Sequence, residues 1–159
     1  MKMKRLLITA MFVLFGSQAS AWVSKGFKPN KVSQIAIVVQ DDATNGCWTN
    51  IGEVKRYAED KLELAGFEVF RGAVEGFLTD ANRFLFRITV NATRIDGLCY
   101  GDIKYGIATL AQVNKIVGVF LVAESIKTIS EAKNVNEYTL DSMGIFMKEI
   151  ENPQWDPTQ

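Results

Sequence analysis

Histidine is missing from the chain altogether. Its absence excludes Ser-His-Asp hydrolysis, Cys-His nucleophilic catalysis and His-bearing zinc sites, because each needs an imidazole as base or ligand. Cysteine is scarce: Cys47 and Cys99 are the two in the chain, and they do not form a CxxC pair. Glycine loops of the GxxxxGK[ST] and GxGxxG kinds do not occur, so phosphate and dinucleotide cradles have no support. An excess of positive charge is lacking too. The 18 basic and 18 acidic residues balance, which leaves no basic field for nucleic acid.

What is present begins with a leader. Lys2, Lys4 and Arg5 precede an uncharged apolar run from Leu6 to Gly16, and Ala19-Ser20-Ala21 puts small residues where a signal peptidase reads them. This is the pattern of a secretory signal peptide, residues 1–21, cleaved after Ala21. The apolar run is about half the roughly 20 residues a spanning helix needs, so no membrane anchor is expected after cleavage. The expected location is the periplasm or the exterior. The mature chain would start at Trp22 and hold 138 residues, with 15 basic and 18 acidic side chains and a net charge of −3. That length suits one domain with one core.

Export decides how the cysteines read. Cys47 stands just before a helical pattern, where a helix N-terminus would favour a thiolate. A nucleophile also needs a base, and imidazole is absent. In an oxidising compartment two cysteines have one intramolecular pairing, and a Cys47–Cys99 disulfide is the expected role. It would close a loop of 53 residues, Cys47 to Cys99 inclusive, and the chain-entropy model gives such a closure about 4 kcal/mol.

The chain reads as one α+β domain over 31–152, with a flexible arm at 22–30 and a flexible tail at 153–159. Val32–Gln40 is β-branched and apolar, the mark of a buried strand. Asn50 and Glu53 frame a helix start. Ile51, Val54, Ala58, Leu62 and Ala65 then lay one apolar stripe, and Gly66 ends the helix with Phe67 folding back. Phe67–Phe70 reads as a short strand, making a β-α-β unit with parallel strands. From Arg83 to Ile95 the pattern alternates: Phe84, Phe86, Ile88, Val90 and Ala92 face inward, and Arg87, Thr89, Asn91 and Thr93 outward. Asp96-Gly97 is a hairpin turn. Tyr100–Leu110 alternates again, with Asp102 and Lys104 outward, and a turn follows at Gln112–Asn114. Lys115–Lys127 is apolar on both faces and is expected to be central or covered. Leu140, Met143, Met147 and Ile150 form the stripe of a last helix begun at Asn136 and stopped by Pro153. The expected architecture is β-α-β, then an antiparallel meander and a C-terminal helix. That gives one sheet of four or five strands with two helices on one face.

The runs CWTNIGEVKRYAEDKLELAGF, RFLFRITVNATRI and DGLCYGDI resemble a group of small exported bacterial proteins of unknown function. Members carry a CWTN-type helix start, a YAEDKL-type helix body and a later single cysteine. The element order is also similar to sheet-and-helix modules of bacterial envelope assembly proteins. Neither resemblance supplies catalytic residues, and a shared fold does not imply a shared function.

Other constellations fail on spacing. With Asp41 as the first position of a calcium loop, Gly46 fits the sixth but Gly52 takes the place of the twelfth-position glutamate; with Asp42 first, the glycine moves out of place. No metal and no cofactor is expected. Glu124, late in the apolar Lys115–Lys127 run, shares its phase with Phe120, Val122 and Ile126, and is either core-facing or solvated where the strand leaves the sheet. Trp22, Trp48 and Trp155 either mark a recognition surface or, for Trp48 beside Cys47, simply pack. The working face expected is the polar strand face of Arg87, Thr89, Asn91, Asp102 and Lys104. The expected function is a non-catalytic exported binding or accessory protein of the envelope whose partner is another envelope or secreted protein. The alternatives are a small carboxylate-dependent enzyme and an exported inhibitor or immunity-type protein. The oligomeric state is open.

Overall fold

The computed structural model describes residues 22–23, 27–74, 77 and 82–151. The expected leader at 1–21 and tail at 153–159, Trp155 included, lie outside them. The elements in chain order are β1 (Trp22–Val23), β2 (Gln34–Asp41), α1 (Ile51–Leu64), β3 (Val69–Phe70), β4 (Arg83–Ile95), β5 (Leu98–Val113), β6 (Ile116–Ala132) and α2 (Asn136–Glu151). They form one mixed sheet in the order β1-β6-β5-β4-β2-β3. β2 is parallel to both β3 and β4, and β4-β5-β6 is an antiparallel meander. Setting aside the two-residue β1, this is the expected five-stranded α+β sheet with both helices on one face.

The parallel pairing of β4 with β2 settles how Cys99 reaches Cys47. A β4 that simply turned back from β3 would put the cysteines at opposite ends of the sheet. Instead the chain crosses back before Arg83, so β4 climbs beside β2. The Asp96-Gly97 turn, both residues at positive φ as a type I′ hairpin requires, then drops Cys99 next to Arg94. The Cys47–Cys99 disulfide forms there, with Cα atoms 5.8 Å apart and both residues fully buried. Such bonds persist in oxidising compartments. The start of β5 also bulges between Cys99 and Gly101. A Cβ at Gly101 would run into the Asn91 carbonyl and the Ala92 Cα, so only glycine fits this crossing.

Both helices begin at the disulfide. Trp48 Nε1 donates to Asn50 Oδ1 (2.7 Å), and Asn50 Nδ2 donates to Glu53 Oε2 (3.2 Å) and to the Asn136 carbonyl (3.3 Å). Asn50 occupies the N-cap position of α1 without capping it through the side chain; the amide is spent joining the two helix starts. Asn136 closes the junction by exchanging two bonds with Thr49, and the Val135 amide donates to the Cys47 carbonyl (2.9 Å). At its far end α1 stops in a Schellman motif: the Gly66 amide bonds to Glu63, the Phe67 amide to Leu62, and Gly66 has φ 88°.

The core lies between the sheet and the helices. α1 buries Val54, Ala58 and Leu62 of its expected stripe, and α2 buries Met143, Met147 and Ile150. α2 also buries Phe146, whose ring stacks on Phe86 at 5.7 Å and on Tyr105 at 5.6 Å. The Tyr105 hydroxyl donates to the Thr139 carbonyl (2.8 Å) and meets Ser142 Oγ (2.7 Å), so this buried phenol is satisfied.

Three expectations change. Within the expected arm, β1 pairs with Ala123–Glu124 of β6, and Phe27 is buried, stacked on Phe67 at 4.9 Å. The second hairpin turns at Asn114-Lys115, both at positive φ, rather than at Gln112–Asn114, and β5 accordingly runs to Val113. β6 is neither central nor covered. Its outer neighbour is the two-residue β1, and Ile116, Val117, Val119, Phe120 and Leu121 are exposed.

Tyr105 supplies a pH test. Burial pushes its phenol above the usual tyrosine range, against the lowering effect of the Ser142 hydrogen bond. The folded chain therefore keeps this proton above about pH 10, where the unfolded chain has released it. The resulting stabilisation is whole below about pH 10 and is lost as pH climbs towards the raised value. Tyr105→Phe should cost about 1 kcal/mol at neutral pH. In urea titrations, wild-type stability should fall more steeply with pH above about pH 10 than that of the variant.

Candidate functional site

Two helices cover one face of the sheet, so side chains of the opposite phase project from a helix-free face. The strand registers place them in rows. Val38, Arg87, Gly106 and Glu124 form one row across β2, β4, β5 and β6; Ala36, Leu85, Ala108 and Leu121 form the next. Thr89 lies opposite Lys104 and Asn91 opposite Asp102. All five residues expected on a working face, Arg87, Thr89, Asn91, Asp102 and Lys104, thus sit together on it. Asn91, Arg87 and Lys104 are exposed, and Thr89 and Asp102 half-buried. Lys104 Nζ pairs with Asp102 Oδ1 at 3.5 Å along its own strand.

The face is not flat. Along β5 the outward positions pass from Lys104 to Gly106 and Ala108, while β4 and β6 keep large side chains on either side. The result is a cavity of about 270 Å³ floored by Gly106 and Ala108, walled by Leu85 and Arg87 on one side and by Val119, Leu121 and Glu124 on the other. Arg87 and Glu124 stand two strand spacings apart, about 10 Å, with no side chain between them at Gly106. Among the described residues neither makes a side-chain hydrogen bond or ion pair. A groove with an apolar floor, a cation on one wall and an anion on the other can grip an extended segment or a small amphiphile by shape and paired charge.

Glu124 joins this site through a bulge. Between Ile107 and Ala108 the register slips by one residue on β6, so Ala123 and Ser125 face the helices while Leu121 and Glu124 share the open face. The phase that linked Glu124 with Phe120 and Val122 is broken at Val122, and Glu124 is half-buried in the groove wall. Trp48 packs in the core. The groove floor was readable as two small residues in succession on an outward phase, Gly106 and Ala108. Nothing in the sequence placed Glu124 opposite Arg87.

Two carboxylates, Asp102 and Glu124, lie on this face on neighbouring strands. Asp102 is opposite Thr128, four residues along β6 from Glu124, about 13 Å at strand rise. Among the described residues no group of three or more metal-ligating side chains occurs, and no helix is long and apolar enough to cross a membrane.

No family model and no curated protein matches the chain. Among solved structures, a PelC dodecamer from Paraburkholderia phytofirmans aligns at TM-score 0.48 and 10% identity, over 85% of this chain and 97% of its own. Lipoprotein GNA1162 from Neisseria meningitidis aligns at TM-score 0.38 and 17% identity, over 76% of this chain and 97% of its own. Likeness at this level carries no function across.

The groove floor makes a stability prediction. A Cβ at Gly106 would have the Ala123 carbonyl, 4.0 Å away, as its nearest neighbour. Gly106→Val should therefore be neutral or stabilise by about 0.5–1 kcal/mol, because it removes a flexible residue from a strand interior. Gly101→Ala should cost more than about 2 kcal/mol, because its Cβ meets backbone. Denaturant unfolding of the two variants, side by side, checks that the groove is open space.

Proposed function

We propose that this protein is an exported, non-catalytic binding module that works through the helix-free face of its sheet. The supporting observation is the groove over Gly106 and Ala108, with Arg87 and Glu124 on opposite walls and neither paired among the described residues. Polar side chains on a strand face are ordinarily solvated. Opposed charges across an apolar floor are more specific, since each is left for a ligand group of the other sign. The sheet holds these groups at fixed spacing, which suits recognition. The disulfide and the leader pattern support work in the envelope or outside the cell, and the partner in this reading is another envelope or secreted protein. A non-catalytic role fits the residues on hand: both cysteines are bonded and imidazole is absent from the chain.

The test is a photo-cross-linker placed at Thr89 in cells. The wild-type background should give one discrete heavier product. The double variant Arg87→Glu/Lys104→Glu should fold normally, within about 0.5 kcal/mol of wild type because both side chains are exposed, and should lose that product. An unchanged product from the folded double variant contradicts a working face here. Turnover of a small substrate abolished by Glu124→Gln contradicts the non-catalytic reading.

A further inference from the structure

The β5–β6 hairpin outruns the rest of the sheet. β4 begins at Arg83, and its outermost pairing with β5 is Phe84 with Thr109, which in turn lies opposite Phe120, so the hairpin from Leu110 to Val119 extends past it. On the outer side of β6 the described pairing is confined to β1 at Ala123 and Glu124. Among the described residues nothing pairs with the edge from Ile116 to Val122. Those seven residues, IVGVFLV, carry no charge, and Ile116 is 72% exposed, Val119 64% and Leu121 47%. An uncharged, apolar strand edge lacks the lysines, prolines and inward charges that ordinarily block edge pairing.

We propose that this edge pairs, antiparallel, with the same edge of a second copy about a two-fold axis at Val119. The open backbone donors and acceptors decide against a lipid surface as the occupant, because hydrocarbon cannot satisfy an unpaired strand edge. Self-pairing satisfies them all. It also matches side chains, since residues opposite one another in an antiparallel pair share a face. On the groove side Val117, Val119 and Leu121 meet Leu121, Val119 and Val117 of the partner. On the other side Gly118 lies opposite Phe120 and leaves its ring room, while Ile116 meets Val122. No like charges meet, because the segment carries none, and the pairing ends where β1 takes up the edge at Ala123. A symmetric contact of this kind closes on itself and produces a dimer rather than a fibre. It would also set two grooves on one continuous face, since Val119 and Leu121 belong to both groove wall and edge.

Sedimentation velocity on the exported chain across the micromolar range tests this. Wild type should sediment at twice the single-chain mass. Val119→Lys should sediment at the single-chain mass with an unchanged circular dichroism spectrum, and Arg87→Glu/Lys104→Glu should keep the doubled mass. As a second measurement, Val119→Cys should form a bond between chains under mild oxidation, and Thr89→Cys on the same face should not. A single-chain mass for wild type, a doubled mass for Val119→Lys, or equal cross-linking at both cysteine positions overturns the proposal. So does a wild-type chain that stays single and floats with vesicles of phosphatidylethanolamine and phosphatidylglycerol.

Discussion

The disulfide between Cys47 and Cys99 sets the geometry of everything above it. It joins the segment that leads into α1 to the first residues of β5. The chain around it is tied to the same point. Arg94 donates to the carbonyls of Asn45 (3.0 Å) and Gly46 (3.1 Å) from one side and Gly97 (2.7 Å) from the other, so its guanidinium pins the loop before Cys47 to the β4–β5 turn. Val135 bonds to the Cys47 carbonyl, and Thr49 and Asn136 hold each other. Two helices that start from one anchored corner both lie over the same side of the sheet. The uncovered opposite face, and with it the groove, follows from that corner.

From the corner the core is completed by matched pieces. Phe146 sits between Phe86 and Tyr105, and the tyrosine hydroxyl ends in the first turns of α2 at Thr139 and Ser142. This fixes the rotation of α2 about its axis and the position of the middle of β5 beneath it. The same stretch of β5 turns Gly106 and Ala108 outward. The residues that seat the helix and those that floor the groove therefore alternate along one strand, and rigidity on one face is passed directly to the other.

Much of this was legible. The 3.6-residue stripes located both helices, the period-two alternation of β4 and β5 assigned their faces residue by residue, and Gly66 and Asp96-Gly97 marked real chain reversals. Each of these is a local signal with a local cause. The misreadings came where long-range pairing decides. An apolar run such as Lys115–Lys127 looks the same in a covered strand and in an exposed edge, because composition does not record neighbours. The bulge at Val122 decides between the two readings left open for Glu124 by turning it to the open face, and a one-residue slip has no signature in a sequence without turn residues. Phe27 looked irregular locally and is held by Phe67, a contact across forty residues. The Asn50 side chain had the right position for a cap and serves a different bond, because Asn136 lies beside it in space.

The most direct test of the account is the stability of the chain without its anchored corner. In urea unfolding, Cys47→Ala/Cys99→Ala should be about 2–5 kcal/mol less stable than the oxidised wild type, near the 4 kcal/mol of the loop-closure model. Hydrogen exchange should accelerate together at the starts of α1 and α2, around Val54 and Thr139, with the middle of β5 less affected. A double variant within about 0.5 kcal/mol of wild type, with both helix starts equally protected, would show that the corner holds without the bond and would contradict the account.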